Sequence, residues 1–312
     1  LTVGQSVQLP ADKIASALSD LLKEKEVAVK TNRCGIAIPF TSSLISVVEM
    51  PSVGPKELQT MVPIEARKYI PVPIQEVMLD WSVIPRPAPH PAIQEEVKFP
   101  KIDVLIAAIH NDTIARFQEI VAKAALEASF FEIEIFSTMR SILDEGLRPV
   151  LIMDMGAAST KIYIIERGLI RASHTVNRGS QEITSAISKS LGVSPEEAEV
   201  MKRKDGLLGA DNRVKEVASL VLDHIFAEAD STLLAFEKRH NKTVAKVMLV
   251  GGGAALKGLI DLAKNNFKTE VFLGEPFDKV STPAFLEKIL SETGPEFAVS
   301  IGVALRKLSE EG

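Results

Sequence analysis

Two stretches about a hundred residues apart carry residue types suited to a phosphate-bearing ligand. The first runs Val150-Leu-Ile-Met-Asp154-Met-Gly156-Ala157-Ala158-Ser159-Thr160-Lys161-Ile-Tyr-Ile-Ile165. Here a carboxylate, Asp154, ends a β-branched run. The small residues Gly156 to Thr160 let backbone N–H groups close on phosphate oxygens before the chain returns as a second strand. The second runs Val247-Met-Leu-Val-Gly251-Gly252-Gly253-Ala-Ala-Leu256. Its three glycines remove every side chain where a strand is expected to meet a helix N-terminus. The backbone can then approach a ribose-phosphate, and the helix end favours negative charge. Singly, an Asp-x-Gly turn is more often plain structure, and a glycine triplet is often just a tight turn. Their order and spacing together read as two sides of one nucleotide site.

Composition narrows the field. A length of 312 residues allows two sizeable lobes or several subdomains sharing a cleft. A net charge of −5 gives no electrostatic reason to expect nucleic acid or an anionic lipid surface as main partner. Cys34 is the only cysteine and cannot form an internal disulfide, and its apolar surroundings read as a buried, reduced thiol. The five histidines show no paired metal spacing. No uncharged apolar run reaches membrane-spanning length, and no signal peptide is visible. The chain opens on Leu1 rather than Met, and residues upstream of it are expected.

The positioning elements follow from periodicity. Pro10 and Asp12 start a helix with Ile14, Leu18, Leu21 and Leu22 on one face, stopped by Lys23 to Glu26. Short strands are expected at Cys34–Ile38 and Leu44–Val48. Pro55 suits the first turn of a helix carrying Leu58, Met61, Val62 and Ala66, with Pro63 bending it and Tyr69-Ile-Pro71-Val-Pro73 beyond its end. Leu79–Ile84 and Ile102–Ile109 pair as a hairpin around the five-proline loop Pro85–Pro100. Residues 33–110 thus read as a small β-β-α-β-β unit. A helix from Asp112 to about Ala128, with Ile114, Phe117, Ile120 and Val121 inward, precedes a strand at Phe130–Phe136 and a helix at Ser137–Glu145. A helical stretch, Gln181–Arg239, separates the two phosphate candidates.

These features resemble the second half of the actin, Hsp70 and sugar-kinase superfamily, and within it the PilM family of pilus-assembly proteins, relatives of FtsA. The segment Glu65-Ala-Arg-Lys-Tyr69-Ile-Pro71-Val-Pro73-Ile-Gln-Glu76-Val-Met-Leu-Asp80 is similar to the family pattern E-x-x-x-Y-I-P-x-P-x-x-E-V-x-L-D. Arg178-Gly-Ser-Gln-Glu-Ile-Thr184, Ala198-Glu199-Val-Met-Lys202, Leu249 to Gly253, Gly294-Pro-Glu-Phe-Ala298 and the helix Phe297 to Ala304 support it. The likeness covers nearly the whole chain.

The resemblance implies an α/β, actin-like, ribonuclease H-like two-lobed ATP-binding fold with the small inserted unit. Residues 1–32 and 111–147 would form the first core subdomain and 33–110 the insertion. Residues 148–178 and 244–312 would form the second core subdomain, and 179–243 the helical one. It further implies that Asp154 approaches Mg²⁺ through water, that Gly156 to Thr160 hold the β- and γ-phosphates of ATP, and that Gly251, Gly252 and Gly253 pass beneath the nucleotide. Glu199 and Lys202 stand one helical turn apart on one face, a spacing that unaided suits a surface ion pair; the resemblance implies adenine and ribose contacts instead. Glu134 falls near the acidic residue of the first interdomain connection. Ile135 replaces the usual proline there, so no catalytic residue is assigned. The family's first phosphate loop has no counterpart in the sequence as given, so either residues upstream of Leu1 supply it, the preferred expectation, or this form binds nucleotide weakly; positioned hydrolysis would need both sides of the clamp.

The function so implied is a cytoplasmic assembly platform of the type IV pilus, peripheral to the inner membrane, that docks the cytoplasmic N-terminal tail of PilN and joins the pilus inner-membrane complex. The resemblance places that docking in a groove between the first core subdomain and the inserted one, and Tyr69–Pro73 either shapes this groove or is a rigid helix stop whose Tyr packs inward. Self-association is left open. The alternatives are an FtsA-like division protein and a sugar or acetate kinase. Leu305–Gly312 has too little apolar face for a membrane anchor. No convincing general base stands out among Asp80, Asp103 and Asp112.

Overall fold

A computed structural model describes residues 9–25, 29–84, 101–144, 146–210 and 212–311. The chain divides into two compact units, Pro10–Glu134 and the part from Ile135 onward. The loop Pro85–Pro100 lies outside the described residues.

In the first unit, helix α1 (Ala11–Lys23) turns Ile14, Ala15, Leu18 and Leu22 inward, whereas Leu21, expected on that face, is exposed. Strand β1 (Arg33–Ile38) is followed by β2 (Ser43–Pro51), α2 (Pro55–Ala66), β3 (Val77–Ile84), β4 (Lys101–His110), α3 (Asn111–Lys123) and β5 (Glu127–Ile133). The anticipated β3–β4 hairpin is present, and β2 pairs along the other edge of β4, so the order is β2-β4-β3. Strand β1 does not join that sheet. It pairs in parallel with β5, Ile38 opposite Ile133, so the inserted unit is β-α-β-β rather than β-β-α-β-β. Pro39 and the short turn Phe40–Ser42 break the chain between β1 and β2, which frees them to enter different sheets. Strand β5 begins three residues earlier than periodicity suggested, because Ala125 takes a left-handed φ of 55° and ends α3 at Lys123.

Helix α2 packs Leu58, Val62 and Ala66 on Val48, Met50, Val104, Ile106 and Ala108. Val62, Val104 and Ile106 are fully enclosed, each worth roughly 2 kcal/mol of burial. Pro63 is accommodated within α2. At the corner beyond it Ile70 is buried while Tyr69 is 44% exposed, so the inward-packing reading of Tyr69 is not the one realised.

In the second unit, α4 (Glu134–Ile142, its first residue closing the first unit) leads to β6 (Val150–Met155), β7 (Thr160–Glu166) and β8 (Leu169–Val176). Then come α5 (Ser180–Leu191), α6 (Pro195–Asp205), α7 (Asn212–His240), β9 (Lys246–Val250), α8 (Leu259–Asn266), β10 (Glu270–Leu273), α9 (Glu287–Thr293) and α10 (Ala298–Glu311). The sheet order is β10-β9-β6-β7-β8, with β9 parallel to both β10 and β6. Central β6 is enclosed at Leu151, Ile152 and Met153, as a strand covered on both faces requires. Leu151, Met153, Ile162, Ile164, Val247 and Leu249 share one core with residues of α5, α7 and α8. Ile152, Tyr163 and Val250 face the other way, where Ile142 of α4 and Val250 both crowd Gly274.

Candidate functional site

Strands β6 and β9 are adjacent and parallel, Asp154 beside Val250, so the chain leaves both at the same end of the sheet. That end is where open α/β sheets place their ligands. The two sequence candidates are therefore brought together.

The first turn is backbone-built. Gly156 N–H donates to Ser159 O at 3.0 Å, and a Cβ at 156 would lie 2.8 Å from that oxygen, so the turn closes only on glycine. The amides of Ala157, Ala158 and Ser159 take no partner among the described residues. Of the five residues expected to face phosphate, these three offer N–H groups. The Gly156 N–H is used internally, and Thr160 is fully buried with its hydroxyl donating to Arg178 O at 2.9 Å. The turn's carbonyls are held from behind: Ser180 N–H donates to Gly156 O and Gln181 N–H to Ala157 O, both at 2.9 Å. The first N–H groups of α5 thus serve the protein rather than a ligand. Gly179 permits this approach, since a Cβ there would fall 2.5 Å from both carbonyl oxygens.

The second turn is equally tight. Gly251 has φ 83°, and its N–H donates to Pro295 O at 2.8 Å. A Cβ at 253 would lie 2.7 Å from Met155 O. Gly252 differs: it is exposed, and a Cβ there would meet only the Glu296 side chain, at 3.6 Å. The expected helix N-terminus is not at the triplet. A four-residue 3-10 turn, Gly252–Ala255, follows, and α8 starts only at Leu259 after the left-handed Gly258. The triplet therefore offers close backbone approach without the dipole of a long helix.

Glu199 and Lys202 form neither a surface pair nor an open contact site. Lys202 is buried, with Nζ 2.7 Å from Glu199 Oε2, and donates to Thr184 Oγ1 at 2.9 Å and Ser180 O at 3.1 Å. Thr184 donates to Glu199 Oε2 at 2.6 Å, and Arg203 Nε lies 2.8 Å from Oε1. Burial pushes the Glu199 carboxyl upward, but donation from Lys202, Thr184 and Arg203 outweighs it and holds the group at about 2. The pair fastens α6 to the first turn of α5. Ser180 joins this staple to the phosphate turn, giving its N–H to Gly156 and receiving Lys202 on its carbonyl.

Asp154 pairs with Lys161, Nζ 3.4 Å from Oδ2. Among the described residues no group of three His, Cys, Asp or Glu side chains could hold a metal. Three available amides and a side-chain-free floor fit a phosphate-bearing ligand. A single carboxylate already in an ion pair does not make a protein-held Mg²⁺ site. Glu134 is occupied in the first unit, its Oε1 accepting from Phe40 N–H at 2.8 Å. Lys161, Gly179, Arg203 and Glu296 were not singled out from sequence; the Asp154–Lys161 pairing was implicit in the hairpin register. A depression of about 1400 Å³ lies at the opposite ends of the strands, lined in part by Phe136, Arg148, Val150, Lys246 and Phe272, away from both turns.

Comparison with known proteins gives one family match and several structural neighbours. Residues 6–308 match the family described as type IV pilus assembly protein PilM. The cell division protein FtsA of Escherichia coli K12 is 21% identical over 95% of this chain and 75% of its own length. The FtsA of Streptococcus pneumoniae D39 is 26% identical over 59% and 44%. A solved PilM–PilN type IV pilus biogenesis complex superposes with a TM-score of 0.79 at 25% identity, covering 95% of this chain and 85% of that one. MreB5 of Spiroplasma citri bound to AMPPNP superposes with a TM-score of 0.50 at 14% identity, covering 65% and 66%, a likeness of fold. The fold is thus the actin-like one.

Proposed function

The chain belongs to the type IV pilus assembly protein PilM family, and from that premise we propose that it is an ATP-binding assembly protein of the pilus inner-membrane platform that works by closing on nucleotide rather than by rapid turnover. The observation that carries the nucleotide reading is the convergence of two glycine-bearing turns at the carboxyl ends of β6 and β9. In this reading the amides of Ala157, Ala158 and Ser159 bind phosphate oxygens, Gly251–Gly253 form the floor, and Glu199 with Lys202 hold α6 in place beside it. Magnesium, where present, arrives on the nucleotide's phosphates. No step of hydrolysis is assigned to this chain's residues.

The partner is the cytoplasmic tail of a PilN-type membrane protein, a reading supported by the superposition on a PilM–PilN complex. Its groove lies within the Pro10–Glu134 unit, between the part built from α1, α3, β1 and β5 and the inserted sheet. The sheet face opposite α2 carries half-buried Ile45, Val47, Leu105, Ala107 and Ile109 and the exposed Met78, which suits a few apolar anchors. Among the described residues no helix is long and apolar enough to cross a membrane, and attachment to the inner membrane runs through that partner. In this reading the division into four parts expected from sequence is kept as a proposal, with Arg33–Ile38 assigned to the first core subdomain because it pairs with β5. Pull-down with synthetic tail peptides tests the partner: retention supports it, and deletion of the inserted sheet without loss of binding excludes this groove.

A further inference from the structure

This inference rests on the nucleotide site just proposed and concerns the source of its positive charge. Lys161 is the direct cross-strand partner of Asp154 in the β6–β7 ladder. Its Nζ lies 3.4 Å from Asp154 Oδ2, and the two side chains are only 14% and 13% exposed. Directly opposed residues of an antiparallel pair share a face. The ammonium therefore stands with the carboxylate at the site end of the sheet, one strand position from the turn whose amides are available. The other carboxylate oxygen is equally confined: a Cβ at Gly251 would fall 2.5 Å from Asp154 Oδ1. Asp154 is thus hemmed in by the triplet's backbone on one side and by Lys161 on the other.

A lone Asp154 would repel a polyphosphate tail, and the usual remedy is a divalent cation shared between carboxylate and phosphates. Here the remedy is covalently attached. A cation would have to compete with Lys161 for a confined carboxylate, whereas an ammonium serves carboxylate and phosphate alike as a compact point charge. We propose that Lys161 is the built-in counter-charge of the phosphate site, neutralising Asp154 and presenting its ammonium to the phosphate oxygens, so that a nucleoside di- or triphosphate binds without a divalent cation.

Calorimetric titration with ADP and ATP, in magnesium and in excess EDTA, tests this. For the unaltered chain, chelation is expected to change Kd by less than about threefold. Lys161→Met is expected to lose about tenfold in EDTA and to recover with magnesium, while Lys161→Arg stays near the unaltered chain. Asp154→Asn, which removes the repulsive carboxylate, is expected to bind in EDTA at least as tightly. If Lys161→Met fails to fold, the double variant Asp154→Asn with Lys161→Met removes both charges and reads the same comparison against Asp154→Asn alone. Binding that requires magnesium in the unaltered chain, or Lys161→Met affinity in EDTA equal to it, overturns the role of Lys161 and leaves the nucleotide site standing. No binding under either condition overturns the site itself.

Discussion

Gly251 leaves the room that the Asp154 carboxylate uses: a Cβ on the glycine would sit 2.5 Å from Oδ1 of the aspartate. The parallel pairing of β6 and β9 sets the two strand ends side by side, and the bare Gly251 backbone lets the triplet pass close to the aspartate. It also separates the three glycines by role. Gly251 and Gly253 are demanded by the protein's own packing, whereas Gly252 is free to serve a ligand.

Valine at 252 therefore differs from valine at 251. Gly252→Val meets only ordinary contact with Glu296, so its melting temperature is expected to stay within a few degrees while ATP affinity falls at least about tenfold. Gly251→Val combines a left-handed φ of 83° with the collision at Asp154 and is expected to destabilise by about 2–4 kcal/mol. Thermal melts with calorimetry on both variants read the difference. Equal melting temperatures would show that the close approach at 251 is wrongly described.

The acid limb of stability should report the Glu199 staple. The carboxyl is held at about 2, below its ordinary 4.5. A depressed folded value means the stabilisation is complete above pH about 4.5 and is lost as pH falls through 4.5 toward 2. Lys202→Met removes the leading donor and leaves Glu199 half-buried. It is expected to destabilise at neutral pH by about 1–3 kcal/mol and to flatten that acid limb. Chemical denaturation between pH 2.5 and 7 measures both effects, and a limb as steep as that of the unaltered chain would contradict the assignment.

Much of this was legible in sequence because the signals were local. Asp154, Gly156 and the triplet are read from residue types in a row, and the β3–β4 hairpin from two alternating runs. The partnership of β1 was not legible, since an apolar strand of six residues carries no mark of whether its neighbour is β2 or the distant β5. Strand β8 went unread because the two-residue turn before it, Arg167-Gly168 with φ 54° and 73°, is built on Arg-Gly rather than on the Asn-Gly or Asp-Gly pairs that mark such a hairpin in sequence. The role of Lys202 depends on Ser180 and Thr184 in another helix, which spacing within α6 cannot reveal.

Helix α10 crosses α4 where Gly302 touches the backbone of Ser137, and Arg140 Nη1 donates to Gly302 O at 2.9 Å. No side chain fits between these backbones. Gly302→Ala is expected to lower stability by about 1–3 kcal/mol and Gly302→Val by more, measured by thermal or urea unfolding. A neutral Gly302→Ala would mean the helices do not cross there.

For the partner, Met78→Asp places a charge on the exposed sheet face. It is expected to weaken tail-peptide binding about tenfold or more without shifting the melt. Binding in the unaltered chain should survive 0.5 M salt, because apolar anchors are little screened while exposed charges at roughly 10 Å or more are. Fluorescence anisotropy with a labelled peptide measures both. Loss of binding in salt would point to a charged rim.

The most direct test of the central claim is an amide-resolved NMR titration with ATP. The largest shift changes are expected on Ala157, Ala158, Ser159 and Gly252, with smaller ones at Lys161 and Gly251. Silent amides in both turns, or changes gathered instead around Arg148, Lys246 and Phe272 at the opposite ends of the strands, would contradict it.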